Sequence, residues 1–286
     1  MPVKKILVPV RGDGMGEHVL AHAAAIARHH HAHVEVLHCR TRPTDMIPYG
    51  VVVPSALREQ IKRQAKELAD TEEEALKTSF AALLPRLGLT ATDGTSGHDG
   101  ATASWHEEAG KMADAIRPWG RLADLIVVAK PDRDRNLGTN TLRAALYHCG
   151  RPVMMVPPGK DHPATLCRRI AIAWNGSMQA SRTVALSLDL LREADAVTIL
   201  DGGAPHDAAS GAELQRYLGF NGVASAIRPI KAGGDPGKVI LAEAAAVGAD
   251  TLIMGAYSHS REHETVFGGA TQYVVDNALM PVVMVH

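Results

Sequence analysis

The chain has 286 residues, of which 46% are hydrophobic and 21% are charged. These fractions are close to those of folded globular proteins and exclude a disordered or fibrous chain. The 30 basic and 31 acidic side chains leave a net charge of −1, and only 4% of the residues are aromatic. Because there is neither a basic surplus nor an aromatic stacking surface, we expect no nucleic-acid partner. The length suggests about two domains.

Localisation is predicted from the absence of targeting patterns. No apolar run reaches the ~18 residues of a membrane helix, and residues 1–10 are too short and too strand-like for a signal peptide. The 3 cysteines, Cys39, Cys149 and Cys167, have no CxxC spacing, which is typical of free thiols in a reducing compartment. We expect a cytoplasmic protein with no membrane partner.

Short β-branched apolar runs alternate with longer helical patterns throughout the first half. This alternation indicates βαβ units and a parallel sheet. In chain order the pattern predicts a strand at 5–10, a helix around 19–27, a strand at 34–38, a long helical stretch over 57–84, and strands at 123–128 and 151–156.

The second half repeats the first. The matching segments, in the same order, are 5–10 with 168–173, 123–128 with 249–254, and 151–156 with 280–285. Such a series indicates a tandem duplication. The proline- and glycine-containing segment 157–163 suits an extended linker. We therefore predict an α/β fold with two domains, residues 1–160 and 161–286, each an open parallel sheet of about five strands with flanking helices.

The last strand of each half is apolar on both faces and begins at a proline, Pro152 or Pro281. Proline cannot donate to a sheet ladder, which places it at the start of a strand or at an edge. Apolar edges of this kind need a partner. We expect the two final strands to pair with each other or with a second molecule. Coverage of these edges by helices is the alternative.

A candidate ligand crevice lies in the second half. In open α/β sheets, ligands bind beyond the carboxyl ends of the strands. Here that edge would bring together the turn 174–177 and the loop 255–271. A glycine at the strand end lets backbone approach a ligand, and the Gly268-Gly269 pair at a helix start leaves N–H groups open for an anion.

The same loop resembles a known family. Gly255, two residues, Ser258, nine residues and Gly268-Gly269 are similar to the nucleotide loop G-x2-G-x9-G-[ST] of the universal stress proteins. The flanking segments 170–177, 232–236 and 248–255 agree with it, so the resemblance covers nearly all of 168–286 and, more weakly, 4–159. It implies Rossmann-like sheets of strand order 3-2-1-4-5, often paired through the last strand.

The resemblance also implies a function, namely a non-catalytic stress-response or regulatory protein that binds ATP or AMP, with Mg²⁺ only as the companion of the nucleotide. Family members hold adenine near an acidic residue after the first strand and phosphates on the glycine loop. No catalytic residue and no metal ligand of the protein itself is expected. Carried over, the nucleotide-binding positions are Asn175, Met254, Gly255, Ser258, Gly268, Gly269 and Ala270.

Three positions depart from the family pattern. Asn175 keeps the size of the acidic residue without its charge, Ser258 replaces a glycine, and Gly269 replaces the Ser or Thr. The first half departs further, with Arg11 at the acidic position, 129–131 in place of the strand-end glycine segment and a loop three residues shorter. We therefore expect any nucleotide in the second half.

Two other functions remain open at this stage. One is a nucleotide-free dimerisation or protein-interaction module, which the degenerate first loop and Ser258 favour. The other is a slow ATP-cleaving enzyme, for which neither 12–14 nor 175–177 supplies the phosphate loop of related ATP-cleaving proteins. A homodimer through the final strands is the further partner that we expect.

Several other motifs favour structural interpretations. Among 15 histidines, His18, His22 and His29 share one helical face, which we interpret as a solvated face in preference to a metal site. Cys149 and Cys167 lack an acid–base partner and are expected to be buried or half-buried residues and not nucleophiles.

The glycine runs at 12–16 and 233–238 resemble a dinucleotide fingerprint and a P-loop, respectively. Each fails at a required position, which leaves an ordinary β–α turn at 12–16 and excludes a P-loop at 233–238. The indole of Trp174 is placed either against an adenine or on the floor of the crevice.

Overall fold

The computed structural model describes residues 2–10, 15–40, 55–93, 100–160, 162–203, 208–230, 234–257 and 269–286. The strands are β1 Lys5–Val10, β2 His33–Arg40, β3 Thr90–Ala91, β4 Thr102–Ala109, β5 Leu125–Ala129, β6 Val153–Val156, β7 Arg169–Trp174, β8 Ala196–Asp201, β9 Ala226–Pro229, β10 Thr251–Gly255 and β11 Val282–Val285. The helices are α1 Gly16–His30, α2 Ser55–Arg86, α3 Met112–Arg121, α4 Thr139–His148, α5 Met178–Leu186, α6 Leu188–Arg192, α7 Gly211–Phe220, α8 Pro236–Ala246 and α9 Gly269–Asn277.

All strands join one 11-stranded sheet of order β3-β4-β2-β1-β5-β6-β11-β10-β7-β8-β9. The predicted α/β class is confirmed, and the two predicted sheets form one continuous sheet because the last strands of the two halves pair. The second half has the expected order 3-2-1-4-5, and the first half adds the two-residue strand β3 outside that order.

The junction between the halves is the antiparallel pair β6–β11, in which Met154 lies opposite Val283. All the other strand pairs of the described chain are parallel. The prediction that the final strands pair with each other is confirmed. Each of them now has a neighbour on both sides, β5 and β11 for β6, and β6 and β10 for β11. The fold therefore leaves neither strand open for the homodimer expected through these strands.

A hydrophobic layer covers each face of the sheet. Ile6 of β1 points to one layer and its neighbour Leu7 to the other, as the two-residue period of a strand requires. At the junction, Met154 and Val283 belong to the first layer, whereas Met155 belongs to the second. Both layers therefore continue from one half into the other, and burial of apolar surface holds the halves together.

Polar contacts reinforce this junction. Among them are Val3 N to Asp189 Oδ2 at 2.9 Å, Arg28 Nη2 to Ala164 O at 3.0 Å, Lys130 Nζ to Ala278 O at 3.2 Å, and the ion pair Arg133–Asp276 at 2.7 Å. Arg28 also donates to the carbonyl oxygen of Leu87 at 2.6 Å, which ties the linker to the end of α2. Within the part of the chain that the structure describes, no helix has the length and apolar character to cross a membrane.

Candidate functional site

A cavity of about 230 Å³ opens at the carboxyl ends of β7, β8 and β10, beside the first turns of α8 and α9. At this place the strand order of the second half reverses. Open α/β sheets bind their ligands at such reversal points. Most of its wall is apolar, and no charged side chain stands among the described lining residues. These residues are Ala173, Trp174, Asn175, Leu200, Gly202, Ile230, Pro236, Val239, Ile240, Met254, Gly255, Ala270 and Thr271.

Asn175 lines the cavity from the turn after β7. Its Oδ1 accepts a hydrogen bond from the Ser177 backbone N at 3.1 Å, and the Ser177 Oγ in turn accepts from Ala180 N at 3.2 Å at the start of α5. The Asn175 side chain also carries an amide N–H₂ donor, which a carboxylate at the same place would lack.

Gly255 ends β10 and has a packing role in addition to lining the cavity. A Cβ built on it would lie 2.6 Å from the Ala180 backbone N and 2.8 Å from the Gln179 carbonyl carbon. Both neighbours are backbone atoms of the first turn of α5, so they cannot rotate aside. Glycine at 255 is therefore required for β10 to pass α5, whether or not a ligand binds.

Gly269 is the first residue of α9 and, unlike Gly255, is not packed against the described residues. It is exposed, and a Cβ built on it meets no described atom within 4 Å. Packing against the described residues therefore does not require a glycine at this place, and the first N–H groups of a helix have no partner within the helix itself. The structure puts Gly269 next to the lining residue Ala270, although Gly269 itself is not part of the wall.

Thr271 is a wall residue that sequence reasoning left out of the site. It is 5% exposed, and its Oγ1 accepts a hydrogen bond from the Tyr257 backbone N at 3.2 Å. The sequence offered one signal that could have identified Thr271: its hydroxyl lies in the first turn of a helix that follows the Gly268-Gly269 pair. The apolar wall residues Leu200, Val239 and Ile240 carried no such signal, because only the sheet order brings β8 and α8 to this crevice.

Of the predicted nucleotide-binding positions, Asn175, Met254, Gly255 and Ala270 converge on the cavity. Ser258 and Gly268 lie outside the described residues. Trp174 is 4% exposed, and its Nε1 donates to the Ala209 carbonyl oxygen at 2.8 Å. The indole is thus fixed as part of the cavity wall, in agreement with the second of its two interpretations.

The start of α8 is closed to anions by its own cap. Asp235 Oδ1 accepts from the backbone N of Gly237 at 2.9 Å and of Lys238 at 3.4 Å. A Cβ on Gly237 would lie 2.7 Å from the Ala270 carbonyl oxygen, so this glycine permits the contact between α8 and α9. The Asp235 carboxylate therefore occupies backbone N–H groups of the first turn of α8, so this helix start does not offer them to an anion.

The matching crevice of the first half encloses only about 40 Å³. The loop that enters it folds on itself, because Asp132 and Leu137 exchange two backbone hydrogen bonds of 2.9 Å. The Arg135 Nε donates to Asp132 Oδ2 at 2.7 Å. Lys130, also in the wall, donates to the carbonyl oxygen of Ala278 in the second half. Arg11 lies outside the described residues, as do positions 12–14 of the first glycine run.

The expectation of a solvated histidine face is wrong for His18 and His22, which are 7% and 6% exposed. The reason is that the linker covers α1: His18 Nε2 lies 3.0 Å from the Pro157 carbonyl oxygen. His29 is on the solvated part of the helix, with a side chain that is 45% exposed. Among the described residues, no group of His, Cys, Asp and Glu is arranged to hold a metal ion.

All three cysteines are free thiols. Cys149 and Cys167 are buried, as predicted, and burial raises the pKa of Cys149 to about 11 and that of Cys167 to about 12. Since the thiolate is the reactive form, neither residue is prepared to act as a nucleophile near neutral pH.

The chain belongs to the universal stress protein family, because the model of that family matches residues 2–157 and 189–286. Among curated proteins, none matches the chain significantly.

Solved structures are similar in fold. The crystal structure of a universal stress protein from Archaeoglobus fulgidus DSM 4304 aligns over 98% of this chain and 95% of its own, with 15% identity and a TM-score of 0.71. That of a functionally unknown protein from Pseudomonas aeruginosa PAO1 aligns over 99% and 92%, with 16% identity and a TM-score of 0.53. At such identities the likeness shows the shared fold alone.

Proposed function

We propose that the second half binds an adenine nucleotide, ATP or AMP, and that the protein is a non-catalytic regulator of a stress response. The observation that carries the proposal is the inequality of the two crevices, about 230 Å³ in the second half against about 40 Å³ in the first. The larger cavity contains Asn175, Met254, Gly255 and Ala270, the positions at which this chain resembles nucleotide-binding universal stress proteins.

The chemistry of the cavity suits one end of a nucleotide. Its apolar wall, formed in part by Leu200 and Ile240, can cover a flat base, and the Asn175 amide can donate to a ring nitrogen. A phosphate leaving the cavity toward α9 would meet the first backbone N–H groups of that helix, which begins at Gly269 and whose dipole favours an anion. Mg²⁺, where present, would accompany the phosphates.

A charge placed at the start of α9 tests the proposal. We expect Gly269→Asp to lower nucleotide affinity about ten-fold or more, because the carboxylate repels the phosphate. The fold should be retained, because there is space at this position and an acidic residue stabilises a helix start. Gly269→Asn is the isosteric neutral control. Asn140→Asp makes a similar charge change at the start of α4, in the half with the small crevice, and should leave affinity unchanged.

The measurement is isothermal titration with AMP and with ATP. Equal affinity of wild type and Gly269→Asp would contradict the proposed place of the phosphate. A lowered nucleotide affinity of Asn140→Asp would contradict the assignment of the nucleotide site to the second half. The titration buffer should be tested with and without Mg²⁺, and phosphate release from ATP measured in parallel. Sustained turnover would replace the proposal with the slow ATP-cleaving enzyme.

A nucleotide-free interaction module is the second candidate. It is favoured by the absence of charged side chains among the described residues of the cavity wall and by the closure of the α8 start by Asp235. No heat of binding with either nucleotide at millimolar concentration, together with an unchanged melting temperature, would favour this function over nucleotide binding.

A further inference from the structure

We propose that Tyr147, on α4 of the first half, is a positioning residue for the nucleotide cavity of the second half. The inference rests on the proposed function and concerns the same cavity. Tyr147 does not line that cavity. Its effect would pass through Tyr257, which comes directly after the strand-end segment Gly255-Ala256.

Tyr257 has a backbone conformation that a residue with a side chain rarely adopts. Its φ is +55°, in the left-handed region. There the Cβ of an L-residue crowds its own backbone, and glycine is the residue usually found. Such a conformation persists only where the surroundings hold it. The contacts that hold Tyr257 therefore determine how the chain leaves the cavity edge at Gly255.

Among its contacts in the described part of the chain, one comes from each half. The ring of Tyr257 stacks on the ring of Tyr147, with centroids 5.7 Å apart and planes 21° from parallel. The Tyr147 ring is itself braced by His286, with centroids 4.4 Å apart. On the other side, the Tyr257 backbone N donates to Thr271 Oγ1 at 3.2 Å, and Thr271 is a buried residue of the cavity wall.

The connection therefore runs from Tyr147 through Tyr257 to Thr271 and Gly255, which both line the cavity. If the stacking were lost, Tyr257 would be freer to return to a negative φ. The conformation competent for binding would then be populated for only part of the time, which lowers apparent affinity in proportion. This gives the first half a function in binding although its own crevice is small: it supplies a fixed platform for the cavity edge of the second half.

The test compares AMP affinity among matched variants by isothermal titration. Tyr147→Ala removes the stacked ring and should weaken binding roughly three- to ten-fold, the range expected for an aromatic pair. Tyr147→Phe keeps the ring and should bind within about two-fold of wild type. Tyr217→Ala is the matched control, because it removes a helical tyrosine ring of similar exposure: Tyr217 is 41% exposed on α7, and Tyr147 is 43% exposed on α4. Its affinity should equal that of wild type.

A double-mutant cycle separates positioning from a general loss of structure. In a Tyr257→Ala background, Tyr147→Ala should have no further effect on affinity, because the stacked pair is already broken. If wild type binds AMP and Tyr147→Ala binds equally well, this inference is overturned and the proposed function stands. If Tyr147→Ala weakens binding as much in the Tyr257→Ala background, the route through Tyr257 is overturned. Absence of binding to wild type would overturn both proposals.

Discussion

The two glycines at the ends of the nucleotide-loop motif provide a sharp test of what each one does. A Cβ on Gly255 would lie 2.6 Å and 2.8 Å from backbone atoms of Ala180 and Gln179. Inserting a methyl group into such a packed contact costs about 1–3 kcal/mol. The upper part of that range is expected for Gly255→Ala, because the neighbouring atoms belong to the first turn of α5 and cannot move without shifting the helix.

For a chain of this size, each kcal/mol corresponds to roughly 2–4 °C in melting temperature. Gly255→Ala should therefore melt about 4–12 °C below wild type in the absence of any ligand. Gly269→Ala is the matched control: its Cβ enters open space, and alanine favours a helix, so its stability should equal wild type within about 0.5 kcal/mol or exceed it. Circular dichroism melts of the ligand-free proteins measure both. A Gly255→Ala protein as stable as wild type would refute the packing argument, as would equal destabilisation by the two substitutions.

Three further outcomes are expected. With iodoacetamide at pH 8, Cys39 should be alkylated before Cys149 and Cys167, whose burial raises their pKa values to about 11 and 12; peptide mass spectrometry showing early modification of a buried thiol would contradict this. Met154→Ala removes a fully buried side chain at the β6–β11 junction. It should lower the free energy of unfolding, measured by urea denaturation, by about 2–5 kcal/mol. A loss below about 1 kcal/mol would argue against a core that continues across the junction. Burial lowers the pKa of His30 below its usual 6.5, so its contribution to stability is full above pH 6.5 and is lost as the pH falls through the folded-state pKa. His30→Gln should flatten the decline in stability between pH 7.5 and 5.5, and an unchanged slope would show that other groups cause it.

The strands that recur in both halves were predictable from sequence, because β-branched apolar runs such as 123–128 and 249–254 stand at matching places. The strands β3, β4, β8 and β9 were not placed by the sequence pattern. The pairing of the final strands was also predictable, since a strand that is apolar on both faces needs a partner on its open edge. A single continuous sheet follows from that pairing. The burial of His18 and His22 was not predictable, because helical periodicity locates a face but does not show that the linker after β6 covers it.

Some residues of the candidate site were likewise predictable from sequence, and others were not. Met254, Gly255 and Ala270 were assigned to the candidate site through the loop motif, and Asn175 through its place after the first strand of the second half. Both assignments reflect backbone geometry at the ends of neighbouring strands. The apolar wall was not found, because residues such as Leu200 and Ile240 are ordinary core residues in sequence and become lining residues only through the strand order. Nor does a glycine motif reveal by itself that a Cβ at Gly255 would collide with α5, whereas one at Gly269 would meet no atom of the described residues.

The stoichiometry of nucleotide binding tests the central claim most directly. The large cavity of the second half and the small crevice of the first predict one AMP or ATP per chain in titration of the ligand-free protein. Two equivalents per chain would contradict the assignment to the second half alone. No binding at millimolar nucleotide would contradict the proposed function itself.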